Sequence, residues 1–371
     1  MTTPVLVLTE SEIIKHVLIK DFDVFTDRGF FESDEPVLKI LFGLTGDEWR
    51  KMRNKLSPTF TSGKIKEMFP LMETCGRNLE TILTTLDYNK KHQSIDVKEY
   101  LGRYMTDVIG STVFGLEINS LENPDYVVHQ NVSYREQNNI KRNDFINIMM
   151  ELKKTDPDIT EELITAQCFL FFFAGFDTSS TVLTFSLYEL AKNKSIQSKL
   201  RNEINDTKAK YGGELTYESY NEMPLLDKVI KESLRMYTPL SQLERVAGRP
   251  YQLPNTDIVV DKGTKMFIPL YGLHHDPEIY PNPDVFDPER FAPENADNIP
   301  NYAYLPFGEG PRNCIGKRFA LLQLKSGLAH SLSNFEWDSD HTNVLRFLTG
   351  DVALRPLKPI KLKVRPISYQ D

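Results

Sequence analysis

The chain has 371 residues, 40% hydrophobic and 26% charged, a globular composition that excludes a disordered or collagenous chain. Lys+Arg 44 against Asp+Glu 52 leaves a net charge of -8, which argues against a nucleic-acid binder held by phosphate contacts. The three cysteines, Cys75, Cys168 and Cys314, are too few and too scattered for a disulfide framework and fit a reducing compartment.

The first residues carry neither a basic region nor a long apolar core, so they do not read as a signal peptide. Residues 9–20 place apolar side chains at 13, 14, 17 and 18, the spacing of a helix. A second helix is expected over 46–60, with Asp47 and Glu48 ahead of Arg50, Lys51, Arg53 and Lys55, as a helix dipole favours. Further helices are expected over 96–114 and 133–154; the sequon Asn131-Val-Ser133 carries no meaning without secretion. Residues 160–192 give the clearest helix. Asp158 or Thr160 can cap it, Glu161 and Glu162 fill its first turn, and it is apolar nearly all round, so it should run through a core. Its block Phe169 to Ala174 is the longest apolar run, well short of ~18 residues, so no membrane span is predicted. Helices follow over 196–211 and 224–237, short strands with turns over 248–267, a Pro-rich loop to Phe307 and a last helix over 315–335. The segments at 352–356 and 360–364 read as a hairpin. The chain is therefore mainly α with small β-sheets.

The commoner catalytic motifs are absent: there is no dinucleotide or Walker glycine loop, no nucleophile elbow, no Cys-x-x-Cys and no His-Glu-x-x-His. The adjacent His274 and His275 read as surface or loop histidines. The segment from Leu305 to Gly316 is different. Two glycines and a proline ahead of Cys314 force an irregular loop that ends where the last helix begins. Backbone N–H groups there are expected to lower the thiol pKa. One thiolate without a second sulfur cannot build a zinc or iron–sulfur site, but it suffices as the sole protein ligand of a haem iron.

The loop Phe307-Gly-Glu-Gly-Pro-Arg-Asn-Cys-Ile-Gly316 resembles the haem-binding loop of cytochromes P450, with Phe307, Gly310, Arg312, Cys314 and Gly316 in place. Three further segments match the family in chain order. Ala174-Gly175-Phe-Asp177-Thr178 resembles the oxygen-binding kink of its long helix, which implies that Asp177 and Thr178 supply protons for dioxygen chemistry. Glu232-Ser-Leu-Arg235 and Pro288-Glu-Arg290-Phe resemble the segments whose Glu232, Arg235 and Arg290 form a structural ion network. Trp49-Arg-Lys-Met-Arg53 resembles the segment whose Trp49 and Arg53 contact a haem propionate; Arg312, Arg245 and Arg28 are implied to do likewise.

The resemblance covers nearly the whole chain, read as one domain over 1–371, and is nearest to insect microsomal, xenobiotic-metabolising P450s. It implies a cytochrome P450 fold, truncated at its N-terminus and with an internal deletion. The chain starts inside the family's first sheet, without the anchor. Val108 to Gly115 resembles the segment before the distal lid helices, and Val132 to Glu136 the segment after them, so the lid is expected to be deleted near 125–134. The implied activity is haem-thiolate monooxygenation of small lipophilic substrates with O2. Electrons would come from NADPH-cytochrome P450 reductase, at the cytoplasmic face of the endoplasmic reticulum membrane. Arg50, Lys51, Lys55, Lys317 and Arg318 are candidates for docking that acidic partner. The alternative is a catalytically impaired splice form or fragment that binds haem without turnover.

Overall fold

The computed structural model describes residues 4–29, 39–86, 94–115, 120, 144–157, 159–339, 345–348 and 352–367. β1 (Val5–Val7) leads into α1 (Ser11–Lys15), which runs on as a wider π-helical turn over His16–Lys20. α2 (Gly46–Leu56) has the expected acidic start and basic end and closes in a 3-10 turn, Ser57–Phe60. The structure adds a helix that the sequence reading lacks, α3 (Ser62–Thr85). Gly63, Pro70 and Gly76 punctuate its sequence, but Ile65, Met68, Phe69, Met72, Leu79 and Leu83 bury one face at helical spacing.

β2 (Ile95–Asp96) passes directly into α4 (Val97–Val113), where Asp96 accepts the Glu99 N–H at the cap. α5 (Phe145–Thr155) is capped by Asp144. Residues 133–143, the sequon and the 125–134 join lie outside the described residues. α6 (Glu161–Lys192) is capped by the Thr160 hydroxyl, which accepts the Leu163 N–H at 3.2 Å; Asp158 lies outside the described residues. Two expectations for this helix are corrected. Only residues 179–191 are continuously buried, while Phe169 and Phe173 in the front half are 59% and 55% exposed. The helix also reaches a mean hydropathy of 1.4 over 18 residues, so by length and composition it is apolar enough to cross a membrane, a test that a core helix also meets.

α7 (Lys194–Lys210) and α8 (Pro224–Met236) follow, then β3 (Leu243–Val246), β4 (Tyr251–Gln252), β5 (Val259–Val260) and β6 (Lys265–Ile268). α9 (Leu270–His274), α10 (Lys317–Leu332), β7 (Phe335–Asp338) and β8 (Lys361–Pro366) complete the described elements. β6 is the centre of one sheet, parallel to β1 and antiparallel to β3. β4 and β5 form a hairpin. The expected C-terminal hairpin does not form. β8 pairs instead with β7 and β2, and Val352 and Ala353 bond to residues 240 and 241.

The chain divides into two compact units. The first comprises Met1–Pro58, Lys231–Lys317 and Leu348–Arg355. Its core packs Ile14, Val17, Leu18 and Phe25 against Met266 and Ile268 of the β1-β6-β3 sheet. The second comprises Thr59–Ile230, Arg318–Phe347 and Pro356–Asp371. There α6 packs along α4, and α10 comes so close to α6 that a β-carbon on Gly327 would meet Leu183 at 2.7 Å.

Candidate functional site

In the first unit the loop before α10 is held by its own backbone. Gly308 N–H donates to Leu305 O at 2.9 Å, Asn313 N–H to Gly310 O at 3.1 Å and Cys314 N–H to Phe307 O at 2.8 Å. Gly308 and Gly310 both take positive φ, 66° and 74°, which other residues adopt only with strain. Lys317 stands over the Phe307 ring at 5.8 Å. The Gly316 N–H donates to the Cys314 sulfur. The thiol is nevertheless pushed up rather than down, because burial outweighs that bond and the pull of Arg53, Arg28 and Lys317. This corrects the expected depression. Cys314 is reachable by water although protein crowds it closely.

Four guanidiniums surround this loop. Arg53 donates to Asn313 O at 2.9 Å and to Asn313 Oδ1 at 2.8 Å, so it clamps the residue before Cys314. Arg312 is 3% exposed, gives its two Nη groups to the carbonyls of Thr26 and Leu44, and lies 4.7 Å over the ring of the buried Trp49. Arg28 donates to Arg312 O at 3.1 Å and stacks on Phe42. Arg245, on β3, donates to Glu244 O at 2.7 Å. Its Nε and that of Arg312 are buried without a hydrogen-bond partner among the described residues.

Among the described residues one carboxylate answers these charges, Asp27, 3.7 Å from Arg312. The imbalance is felt at each arginine. Burial and the neighbouring Arg245 and Arg312 lower Arg28 well below the ordinary range. Burial and Arg312 bring Arg245 to about 10. Burial and Arg53, against Asp27, bring Arg312 to about 10. Guanidiniums do not give up their protons readily, so the lowering marks an unmet demand for negative charge. A haem brings two propionates, and Cys314 is an accessible thiol beside them. The donor set therefore fits that group.

Behind the loop, Glu232 and Arg235 on α8 are fully buried and paired in two parallel bonds of 2.8 Å. Arg235 also donates to His274 O and Pro283 O at 2.7 Å, and Glu232 accepts the Asp287 N–H at 3.0 Å. Arg290 joins at ion-pair distance, 3.4 Å from Glu232, and donates to Asn282 O. His274 is not at the surface. It is fully buried at the end of α9, and its Nε2 accepts the N–H of Leu305, the first residue of the loop, at 3.0 Å. Burial, with His275 and Arg235, depresses it to about 3. His274 is the last residue of a short helix and His275 is its cap, and the expected surface placement fails for the first.

In the second unit, Ala174, Gly175, Asp177 and Thr178 lie midway along α6, which stays helical throughout. A β-carbon on Gly175 would meet Ile109 of α4 at 2.7 Å. Thr178 Oγ1 donates to Ala174 O at 2.6 Å, and Gln323 of α10 reaches Gly175 O at 3.5 Å. Lys98, at the start of α4, pairs with Asp177 at 3.0 Å. The sequence reading did not find Lys98, and it took His274 for a surface or loop histidine. Neither lies near its partner in the chain, and no motif marks either.

A family profile described as Cytochrome P450 matches residues 1–134 and 125–364. The two stretches meet where the sequence reading places the internal deletion. "Probable cytochrome P450 6a14" of Drosophila melanogaster is 40% identical over 428 residues, covering 97% of this chain and 84% of the relative. Cytochrome P450 6k1 of Blattella germanica is 37% identical, covering 90% and 77%. Cytochrome P450 6a2 of Drosophila melanogaster is 36% identical, covering 98% and 85%. The first alignment runs over 428 residues against a chain of 371, so the relative has residues with no counterpart here. On this agreement of profile, relatives and loop, the chain belongs to the cytochrome P450 family of monooxygenase oxidoreductases.

Proposed function

We propose that the chain is a haem-thiolate monooxygenase of small lipophilic substrates, foreign compounds or endogenous lipids and hormones. The observation that carries this reading is Cys314 lying among Arg28, Arg53, Arg245 and Arg312, with one carboxylate among the described residues to balance them. When bound, the haem supplies dioxygen activation: one oxygen atom enters the substrate and the other leaves as water, with two electrons and two protons consumed.

The chain's own residues do the rest. Cys314 would ligate the haem iron through its sulfur, and the bond from Gly316 N–H would moderate the charge of the thiolate. Arg245, Arg28 and the open Nε of Arg312 offer donors to propionates, with Trp49 as the surface on which Arg312 rests. Arg53, Phe307, Gly310 and the Glu232–Arg235–Arg290 network hold the loop in shape. Asp177 and Thr178 pass protons: the carboxyl gives one to Thr178 Oγ1, and the hydroxyl hands on its own after turning from Ala174 O. One family profile runs through both units, which supports reading 1–371 as one domain. Electrons come from NADPH-cytochrome P450 reductase at the endoplasmic reticulum membrane, and the exposed Arg50, Lys51 and Lys317 suit an acidic partner.

The test is the absorption spectrum of the haem-loaded protein, reduced and exposed to carbon monoxide. A strongly red-shifted Soret band that disappears in Cys314→Ser supports thiolate ligation. A band in the position of a histidine or neutral-thiol complex overturns it. A second reading, a catalytically impaired form that binds haem without turnover, rests on the break in the family match at 125–134. A red-shifted band without NADPH-driven product formation would favour that reading.

A further inference from the structure

The helix that starts at Ser11 changes pitch at His16 and runs on as a π-helical turn, a rare form that needs something to hold it. Across the turn the Asp21 N–H donates to His16 O at 2.9 Å, one residue further than in an α-helix. The side chains of the same two residues meet as well, His16 Nδ1 donating to Asp21 Oδ2 at 2.6 Å. Residues five apart on an α-helix stand about 140° round the axis from one another and do not face each other. The His16–Asp21 pair therefore fits the wide turn and is lost if the turn narrows. Tyr251 of β4 adds a bond from outside the helix. Its hydroxyl donates to the same Asp21 Oδ2 at 2.6 Å, and its ring meets Phe25 edge-on at 5.0 Å. The Tyr251 bond and then the His16 bond hold the Asp21 carboxyl below its ordinary range, so the shared acceptor is charged. Lys20, at the end of the turn, donates to the other ring nitrogen of His16 at 3.3 Å.

The same turn carries the seat of the cysteine loop. Leu18 is fully buried, and its carbonyl group and Ile19 Cγ1 are the atoms that a β-carbon on Gly310 would meet first. Gly310 O accepts the N–H of Asn313, the residue before Cys314, so a shift of Gly310 is passed to the thiol within one turn of chain. If the wide turn narrowed to an α-helical one, the backbone beyond it would rotate by about 100°, the step of one residue. The Leu18 carbonyl would then leave its place beneath Gly310. All of these residues belong to the first unit.

We propose that His16, Asp21 and Tyr251 are positioning residues for the haem ligand. They clasp the turn in its wide form, the turn presents the Leu18 carbonyl to Gly310, and that contact fixes the height of the loop that carries Cys314. This inference rests on the reading of Cys314 given under Proposed function.

The experiment uses the full, haem-loaded chain, reduced and exposed to carbon monoxide. Wild type, D21A, D21N and Y251F are compared with L253A, a control for lost stability alone; Leu253 is a core residue of the same unit whose side chain takes no part in the clasp. The rate at which the red-shifted Soret band converts to the unshifted one is measured at a fixed interval below the melting temperature of each protein. D21A should convert several-fold faster than both the wild type and L253A. D21N, whose amide oxygen still accepts, should restore most of the difference, and Y251F should fall between. A second readout needs no haem: exchange of the Asn313 and Cys314 amides in the haem-free chain should speed up several-fold in D21A and Y251F and not in L253A. Y251F removes a single hydroxyl and carries both tests should D21A fail to fold. If the wild type shows the red-shifted band while D21A and Y251F convert no faster than L253A, the positioning role is overturned and thiolate ligation stands. If the wild type shows no red-shifted band, the haem-thiolate reading falls, and this inference with it.

Discussion

An ideal β-carbon on Gly310 would stand 1.9 Å from the carbonyl oxygen of Leu18, a backbone atom that cannot turn aside. Gly308 shares the positive φ but not the crowding; its nearest neighbour would be Leu243 at 3.7 Å. The two glycines of the cysteine loop thus answer different needs. Gly308→Ala should cost only the left-handed backbone, about 1–2 kcal/mol, and still load haem. Gly310→Ala should displace the loop or the π-helical turn beneath it and lose most of the haem. Soret absorbance per protein and thermal melts of both variants check this; equal losses would refute it.

Glu232 gathers four donors in a dry interior: two from Arg235, the Asp287 amide, and Arg290 at longer range. Removing it strands a buried guanidinium. Glu232→Ala should cost about 3–5 kcal/mol in urea unfolding and release haem. Arg290→Lys, at the edge of the network, should cost far less. A Glu232→Ala protein that kept its haem and its unfolding midpoint would contradict the network.

Arg245 predicts an effect whose sign depends on the cofactor. Without an anion it is a buried charge with an open Nε, repelled by Arg312. Arg245→Met should stabilise the haem-free protein, by about 1–3 kcal/mol, while speeding haem loss to an acceptor protein several-fold. Unfolding and haem-transfer measurements on the same preparations decide it. A variant less stable than the wild type without haem would show that Arg245 is satisfied by other means.

His330 of α10 is 5% exposed and lies 3.1 Å from both Glu73 and Glu80 of α3. Burial works to lower its pKa, but the bonds and charges of the two glutamates win, and it is raised. Its contribution to stability is therefore complete below the unfolded value, about 6.5, and is lost as pH climbs through the higher folded one. Glu80 behaves oppositely. Burial pushes it up, His330, Lys208 and Asn334 pull it down, and the net is a lowered value. Its contribution is present above about 4.5 and is lost as pH falls. Stability should therefore peak between these limits and decline toward pH 9, with each unit of raised pKa at His330 worth about 1.4 kcal/mol. His330→Gln should flatten the alkaline decline of the urea midpoint.

What could be read from the sequence was what lies close along it. The cysteine loop closes on itself within ten residues, and Glu232 meets Arg235 one helical turn away, so both were legible as patterns. The cap at Thr160, one of two candidates with Asp158, was legible for the same reason. The contacts that tie these pieces together were not. Leu305 and His274 are separated by 31 residues, and Lys98 and Asp177 by 79, with nothing in either segment to announce the other. β8 was paired with its near neighbour when its partners are β7 and the distant β2, because strand pairing follows packing rather than proximity in the chain. α3 was not read from the sequence; it carries Pro70 and two glycines, and its apolar stripe is satisfied by tertiary burial.

The middle of α6 is unbroken in space, yet its rungs are not alike. The carbonyls of Ala174, Gly175 and Asp177 are met by polar hydrogens from Thr178, Gln323, Lys98 and Ser180. Each of these carbonyls has a second suitor if its own amide lets go. Opening a rung there costs less than further along, where residues 183–191 are buried and water cannot replace a lost amide. The helix is thus a rigid beam at one end and a loosened hinge at its centre, and in amide exchange the residues after the acid–alcohol pair would breathe long before their neighbours do.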